Sequence, residues 1–424
     1  MIPIIDKNTF DLTYKRFHSR DRQIQKQVTA IIDTVIDQKD LALFDFTKKF
    51  DNVDQSSLQV PKNEISNALQ NLDNETRHIF EQAINNIRTF HQKQRQQSWK
   101  DVSDDGTQLG QRFTPIDRVG IYIPGGRAVY PSTLIMNAVP AKIAGVPSIV
   151  IISPPGASGL PHPLILATCA LLELDEIYAV GGAHGIAALA YGTESIAPVY
   201  KITGPGNAYV AEAKRQVFGV VGIDSIAGPS EILILHDDTD IPIEYIVRDL
   251  LSQAEHDPDA RCTLITVSEI TAQKVAERLE ILIPQLPRHE IIKQSIQDNG
   301  RIILTENLDQ GIELVNTIAP EHFELLVKDT SVLSKIRNAG AIFVGKWSSE
   351  PAGDYYAGPN HTLPTNGAAR YASPLGVQDF QKHSSYIEYS HNRLMAQGND
   401  IVHFAELEEL YAHAAAIKVR LENL

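Results

Sequence analysis

The sequence predicts an α/β protein with two doubly wound parallel-sheet domains and helical extensions at both ends. Three observations lead there. From about residue 118, short apolar runs alternate with helix-patterned segments, the pattern of parallel strands with helices on both faces. The alternation begins again at Glu231, which gives two β/α blocks of similar size. Residues from Asp21 to about Gln97, and from about Ile401 to Leu424, carry helical spacing without strands.

Bulk properties fit that class. A chain of 424 residues is long enough for two or more domains. With 43% hydrophobic and 21% charged residues it has an ordinary globular composition. A formal net charge of −14 argues against nucleic acid and anionic membrane as general partners. No apolar run approaches the roughly 18–20 residues of a membrane span. Met1 to Asp6 lacks the basic and long apolar regions of a secretory signal. Cys169 and Cys262 each lie in an apolar stretch and read as packing thiols, which suits a reducing cytoplasm.

Taken in order, residues 1–20 read as an arm without periodicity. Asn74 to Arg95 reads as one long helix, with Ile79, Phe80, Ala83, Ile84, Ile87 and Phe90 on a stripe. Asp101 to Gly110 reads as a polar loop. Strands are expected at Arg118–Ile123, Ser148–Ile152, Glu176–Val180 and Pro198–Ile202, each leading into a helix. The second block offers Ile232–Leu235, Cys262–Val267, Arg301–Leu304, Phe323–Val327 and Ala341–Val344. Trp347 to Pro374 is rich in Gly, Pro, Tyr and Ser and reads as a long loop, a kind of segment that is often functional.

Several stretches carry chemistry. Ile246, Val247, Leu250 and Leu251 define a helix that Asp257-Pro258 ends. Gln253 and His256, three apart in its last turn, leave neighbouring points of one face and could share a metal ion. Pro124-Gly125-Gly126, Gly181 to Gly185 and Gly204-Pro205-Gly206-Asn207 follow strands, where exposed N–H groups at a helix start suit a pyrophosphate. None is a GxGxxG, and tight βα turns would need the same glycines. Glu321-His322 puts an acid beside a base at a strand mouth, and histidine suits general-base work near neutrality. Solvated charges at a helix end would look the same. Asp354 offers an oxygen ligand, or forms an Asx turn. In the tail, Glu409 and His413 are four apart and share a helical face, whereas Glu408 and His413 diverge.

These stretches also match a family. Gly120 to Gly126, Gly204 to Asn207, Ala227 to Glu231, Leu250 to His256, Ala319 to His322, Gly353 to Thr365 and Ala372 to Phe380 resemble histidinol dehydrogenase in content, order and spacing. The resemblance runs from about residue 20 to His413. It implies NAD-dependent, zinc-dependent, four-electron oxidation of L-histidinol to L-histidine through histidinal. It implies zinc held by Gln253, His256, Asp354 and His413, and acid–base roles for Glu321 and His322. Ser230, Gln253, His256, His322, Asp354, Glu408 and His413 would surround the substrate. Tyr122 and Asn207 would contact NAD, and His184 stands where the family has a glutamine. The match favours Glu408 over Glu409 as the substrate carboxylate.

The implied architecture has incomplete Rossmann-like domains. Residues 116–229 would bind NAD, and the helical segment 21–115 would pack with 230–370 as the substrate and zinc domain. Residues 371–424 would complete the site of a partner subunit in a homodimer. Zinc would position the substrate rather than activate water. A zinc- and NAD-linked dehydrogenase of another small polyol is the nearest rival, and a metal-stabilised binding protein without catalysis is a second. Glu408 and His413 argue against the first, and the Glu321-His322 pair against the second.

Overall fold

The computed structural model describes residues 2–10, 22–125, 129–226 and 228–422. Gly126, Ala227 and residues 11–20 of the expected arm lie outside the described residues. What is described of the arm is not irregular throughout, because β1 (Ile4–Asp6) joins a sheet edge. Helices α1 (Arg22–Gln38), α2 (Asp40–Asp51), α3 (Lys62–Gln70) and α4 (Asn74–Gln92) follow. Asp73 caps α4 by accepting the Thr76 N–H at 2.8 Å. Ala83, Ile84 and Ile87 form its buried face, while Ile79 and Phe90 of the expected stripe are exposed. The expected polar loop at Asp101–Gly110 is mostly a hairpin of β2 (Trp99–Val102) and β3 (Gln108–Pro115).

The first β/α block runs β4 (Arg118–Tyr122), α5 (Pro131–Ala144), β5 (Ser148–Ser153), α6 (Pro163–Leu171), β6 (Ile177–Ala179), α7 (Gly182–Tyr191), β7 (Lys201–Thr203), α8 (Ala208–Val217) and β8 (Gly222–Ile223). Its sheet has the order β6-β5-β4-β7-β8, all parallel. Strands covered on both faces need continuous apolar runs, and Val119–Tyr122 and Val150–Ile152 are buried throughout. The order reverses between β4 and β7. In open parallel sheets that reversal opens a crevice at the carboxyl ends.

The N-terminal helices pack mainly on the helices of this block, and the expected packing with residues 230–370 is limited to contacts such as Asn86 Nδ2 donating to Tyr356 O at 2.9 Å. α1 rests on α7 and α8, α3 on α6, and α4 on α5. Val28, Ile31, Ile32 and Val35 of α1 share a core with Val150, Ile152 and Ile186. Ile84 and Ile87 of α4 share another with Val119, Ile121 and Phe380. Exposing these faces would give up roughly 1.5–3 kcal/mol per large apolar side chain.

The second block runs β9 (Glu231–His236), α9 (Ile243–Ala254), β10 (Arg261–Thr266), α10 (Glu269–Leu282), α11 (His289–Asn299), β11 (Arg301–Leu304), α12 (Leu308–Ile318), β12 (His322–Leu326), β13 (Ala341–Val344) and α13 (Glu350–Tyr355). Its parallel sheet has the order β1-β11-β10-β9-β12-β13 and again reverses, between β9 and β12. Short α13 lies inside the segment expected to be all loop.

The chain closes with β14 (Gln381–Glu388), α14 (His391–Leu407) and α15 (Tyr411–Glu422). β14 pairs antiparallel with β3. α14 and α15 fold onto each other around Val402, Ala405 and Ala414, a small core apart from the rest. The tail is thus two helices, not one. Leu410 N–H donates to Ala405 O and Glu409 N–H to Glu406 O, closing α14 in a Schellman motif with Glu409 at φ 60°. Glu409 and His413 therefore share no helical face. Cys169 and Cys262 are free and buried. Among the described residues no helix is long and apolar enough to cross a membrane.

Candidate functional site

The carboxyl ends of β4, β5 and β6, and the loop after β7, open into a cleft of about 1130 Å³. All three residues expected to meet NAD line it: Tyr122, His184 and Asn207. The glycine loop after β7 is clamped from behind. Buried Lys214 donates to Gly204 O at 2.8 Å and pairs with Asp224, whose other oxygen accepts the Gly204 N–H at 2.8 Å. Gly204 has φ +111°, and a Cβ there would lie 2.1 Å from Tyr122 O, so the turn admits only glycine. Asn207 caps α8 by accepting N–H bonds from Tyr209 and Val210, which turns its amide NH₂ outward for a ligand.

Tyr122 is buried at the end of β4, and its hydroxyl accepts the Gly182 N–H at 3.4 Å. Burial pushes the phenol up to about 12, which keeps it a proton donor. His184 is also buried, and neither ring nitrogen has a partner. Burial pushes it down to about 3, so it is a neutral ring with one donor and one acceptor free. Its ring lies against Phe46 and Phe50, 5.7 and 5.9 Å between centroids. Two free hydrogen-bonding atoms beside aromatic walls fit a nucleotide's base and sugar.

The acid–base pair lies elsewhere, at the amino ends of β9 and β12. Glu321 directly precedes β12, and its Oε2 accepts the Glu231 N–H at 2.8 Å. Burial pushes its carboxyl up to about 7. His322 Nδ1 lies 3.1 Å from Glu231 O. A carbonyl only accepts, so Nδ1 carries hydrogen and Nε2 is left with no partner. Nε2 faces Asp354 Oδ1 at 3.6 Å and Glu350 Oε1 at 4.0 Å. Burial disfavours the imidazolium, but Glu321, Asp354 and Glu350 together outweigh it and raise His322 to about 10.

α13 delivers those carboxylates. Gly353 lets it lie against the Phe343 ring, which a Cβ would approach to 2.6 Å. Buried Glu324 accepts the Glu350 N–H at 3.0 Å, and Ser349 Oγ donates to Asp249 Oδ1 at 2.7 Å. Ser252 Oγ donates to Glu350 Oε2 at 3.0 Å, leaving Oε1 unpartnered. His256, Glu350 and Asp354 offer ligand atoms all within 4.8 Å of one another. Gln253, fully buried at the end of α9, has no partner for either side-chain atom. Burial and the nearby Asp354 push Glu350 up to about 8. Crowded carboxylates and orphaned polar atoms fit a divalent cation, which would satisfy both.

The structure thus joins Glu321 and His322 with Asp354, and Asp354 with His256. Ser230 precedes β9, and its carbonyl accepts the Arg261 N–H. Glu408 and His413 stand on the exposed tail hairpin and are not part of this cluster. Glu350 was missed in the sequence. Its signal was the four-residue spacing to Asp354 after Ser349, with Pro351 in the first turn, a short helix start. His361 also joins, with Nδ1 3.9 Å from Asp354 Oδ1.

The chain is similar to known proteins over nearly its whole length. The family model described as histidinol dehydrogenase matches residues 14–421. The chain is 52% identical over 400 residues to a histidinol dehydrogenase of Halalkalibacterium halodurans, covering 94% of each chain. It is 50% identical over 397 residues to one of Bacillus subtilis, covering 93% of each. The crystal structure of a histidinol dehydrogenase from Elizabethkingia anophelis superposes with a TM-score of 0.94 at 36% identity, covering 100% of this chain and 98% of that one.

Proposed function

The chain belongs to the histidinol dehydrogenase family, and from that premise we propose which residues carry the family's reaction and how. The family is NAD- and zinc-dependent and oxidises L-histidinol to L-histidine. In our reading, Gln253, His256 and Asp354 hold zinc, with Glu350 beside them and His413 supplied by a second chain. When bound, the ion supplies positive charge that holds the substrate's imidazole and amine nitrogens and offsets the Asp354 and Glu350 carboxylates.

His322 is the base. Its Nε2 would take the alcohol proton once a bound cation offsets the Asp354 and Glu350 carboxylates that otherwise help keep the ring protonated. NAD, when bound, would be the hydride acceptor, and the alcohol becomes the aldehyde. Glu321 then takes a proton from water as the water oxygen bonds to the aldehyde carbon, and the carbonyl oxygen takes the proton held by His322, giving the hydrate. His322, neutral again, accepts the hydrate's hydroxyl proton as the carbon gives up its second hydride, for which a second NAD would be the acceptor. The carboxylic acid is the product, and four electrons have left the substrate. Ser230 and Glu408 complete the substrate's surroundings, while Tyr122, His184 and Asn207 hold NAD.

One observation carries this reading: Nδ1 of His322 is committed to the Glu231 carbonyl, so the free nitrogen faces the Asp354 side of the site. Histidinol-dependent NAD reduction that is lost on chelation and restored by zinc tests it. Loss without restoration by zinc counts against it.

We further propose a homodimer with shared sites. Glu408 and His413 sit on a hairpin whose Phe404, Leu407, Leu410 and Tyr411 are exposed, an apolar face that a second copy would cover. In this arrangement residues 116–229 bind NAD under the cover of the N-terminal helices, 230–370 bind zinc and substrate, and 371–424 reach the partner. Mixing Glu321→Gln with His413→Asn protein then restores activity, because each mixed dimer keeps one intact site. No restoration would place both residues in one chain's site. The buried free thiols suit a cytoplasmic home.

A further inference from the structure

The cofactor cleft holds one acidic group that neither the sequence motifs nor the family comparison assigns. Asp51 is the last residue of α2, where Asn52 turns left-handed at φ 57°. It lines the cleft, and its Oδ2 is buried with no hydrogen-bond partner. A helix C-terminus presents carbonyl oxygens and partial negative charge, so it supplies no donor to a carboxylate. Burial pushes this carboxyl up to about 6. An acceptor in such a place needs donors from outside the chain.

Its neighbours say what would bring them. Phe46 and Phe50 stack at 5.7 Å, and His184 lies against both. The Asp51 charge also bears on the Tyr122 phenol. None of Ser230, Gln253, His256, Glu321, His322 or Asp354 lines this cleft. The reacting nicotinamide must reach the His322 side, so the aromatic end is left for the adenosine half of the dinucleotide. A ribose cis-diol is a pair of O–H donors side by side, which one carboxylate can accept together. In Rossmann folds a carboxylate that follows the glycine turn does this. Here the acid comes from a helix that precedes the sheet.

We propose that Asp51 accepts the 2′- and 3′-hydroxyls of the adenosine ribose and makes the cleft selective for NAD over NADP. The proposal rests on the reading of this cleft as the NAD site. A 2′-phosphate would replace a donor with a dianion beside a buried carboxylate. Lys49 lines the same cleft with Nζ 5.3 Å from the Phe50 ring centroid, and it is the cation such a phosphate would seek.

The test is titration calorimetry on the full-length protein with NAD, NADP, the 2′-deoxyadenosine analogue of NAD, and nicotinamide mononucleotide. Asp51→Ala should weaken NAD about 10-fold or more, as loss of a charged hydrogen-bond acceptor does. The isosteric Asp51→Asn should weaken it less and narrow the gap between NAD and NADP. Wild type should lose about 10-fold on the 2′-deoxy analogue, whereas Asp51→Ala should bind it and NAD alike. Mononucleotide binding should not change. NAD binding within twofold of wild type in both variants would overturn the proposal. So would a loss confined to the mononucleotide, which would put Asp51 at the other ribose. Asn207→Ala and Tyr122→Phe report on the cleft itself: if neither weakens NAD, the cleft reading fails, whatever Asp51 does.

Discussion

The Nδ1 atom of His322 lies 3.1 Å from the carbonyl oxygen of Glu231, and that contact fixes which ring nitrogen can act as a base. The same residue's N–H donates to Glu321 Oε2 at 2.8 Å. The backbone of one residue at the start of β9, its N–H on one side and its carbonyl on the other, therefore orients both members of the acid–base pair.

Replacing His322 with Asn removes the base while leaving a side chain that can still reach the Glu231 carbonyl. Turnover of histidinol and of histidinal should both fall by about 10²–10⁴-fold, with NAD affinity unchanged. Rapid-quench rates on each substrate check this. Loss on only one substrate would contradict a shared base.

Glu321→Gln keeps an acceptor for the Glu231 N–H but cannot take a proton from water. Oxidation of histidinal should slow much more than oxidation of histidinol. In wild type, burial holds this carboxyl at about 7, and only the ionised form is a base. The histidinal step should therefore fall about tenfold per unit as pH drops below about 7. A histidinal step flat down to about pH 5 would remove Glu321 from that role.

Glu350→Gln tests the carboxylate that the sequence reading missed. Its Oε1 is unpartnered and its neighbours are His256 and Asp354. Zinc affinity should drop about 10–100-fold, as for partners that support a metal's ligands, with NAD binding unaltered. Competition with a chromogenic chelator measures it. An unchanged zinc affinity would make Glu350 a structural residue.

Chelation should make stability depend on pH in a defined direction. Glu321 and Glu350 rise from 4.5 to about 7 and about 8 on folding. They bind protons more tightly folded than unfolded, so their support is full below about 4.5 and declines as pH rises through the folded values. His322 rises from 6.5 to about 10, so its support is full below 6.5 and also declines as pH rises. The metal-free protein should therefore melt lower at about pH 8 than at about pH 6, and zinc should raise the midpoint more at the higher pH. Equal zinc stabilisation at both would contradict the crowding of carboxylates at the site.

Much of this was legible in the chain, for physical reasons. Strands buried on both faces need unbroken apolar runs, so Ile121, Ile151 and Leu264 announced their sheets. Exposed β2 and half-buried β3 lack such runs, and the hairpin around Asp105 read as loop. α13 is six residues long, too short for a helical period to register. The break before α15 was hidden because Glu409, not glycine, takes the left-handed position. Gln253, His256, Glu321 and His322 stood out because each pair lies within one local stretch. Glu350 and Asp51 did not, since their significance comes from neighbours distant in sequence. Where α1 and α4 pack was not legible either, because an apolar helical stripe does not say which sheet it covers.

The most direct test of the zinc assignment is an anomalous difference map, at the zinc edge, from crystals of the zinc-loaded protein. The expected result is a single peak about 2.0–2.2 Å from Gln253 Oε1, an imidazole nitrogen of His256 and a carboxylate oxygen of Asp354, with His413 of a second chain completing the set. A peak bonded to other residues, or no zinc between α9 and α13, would contradict it.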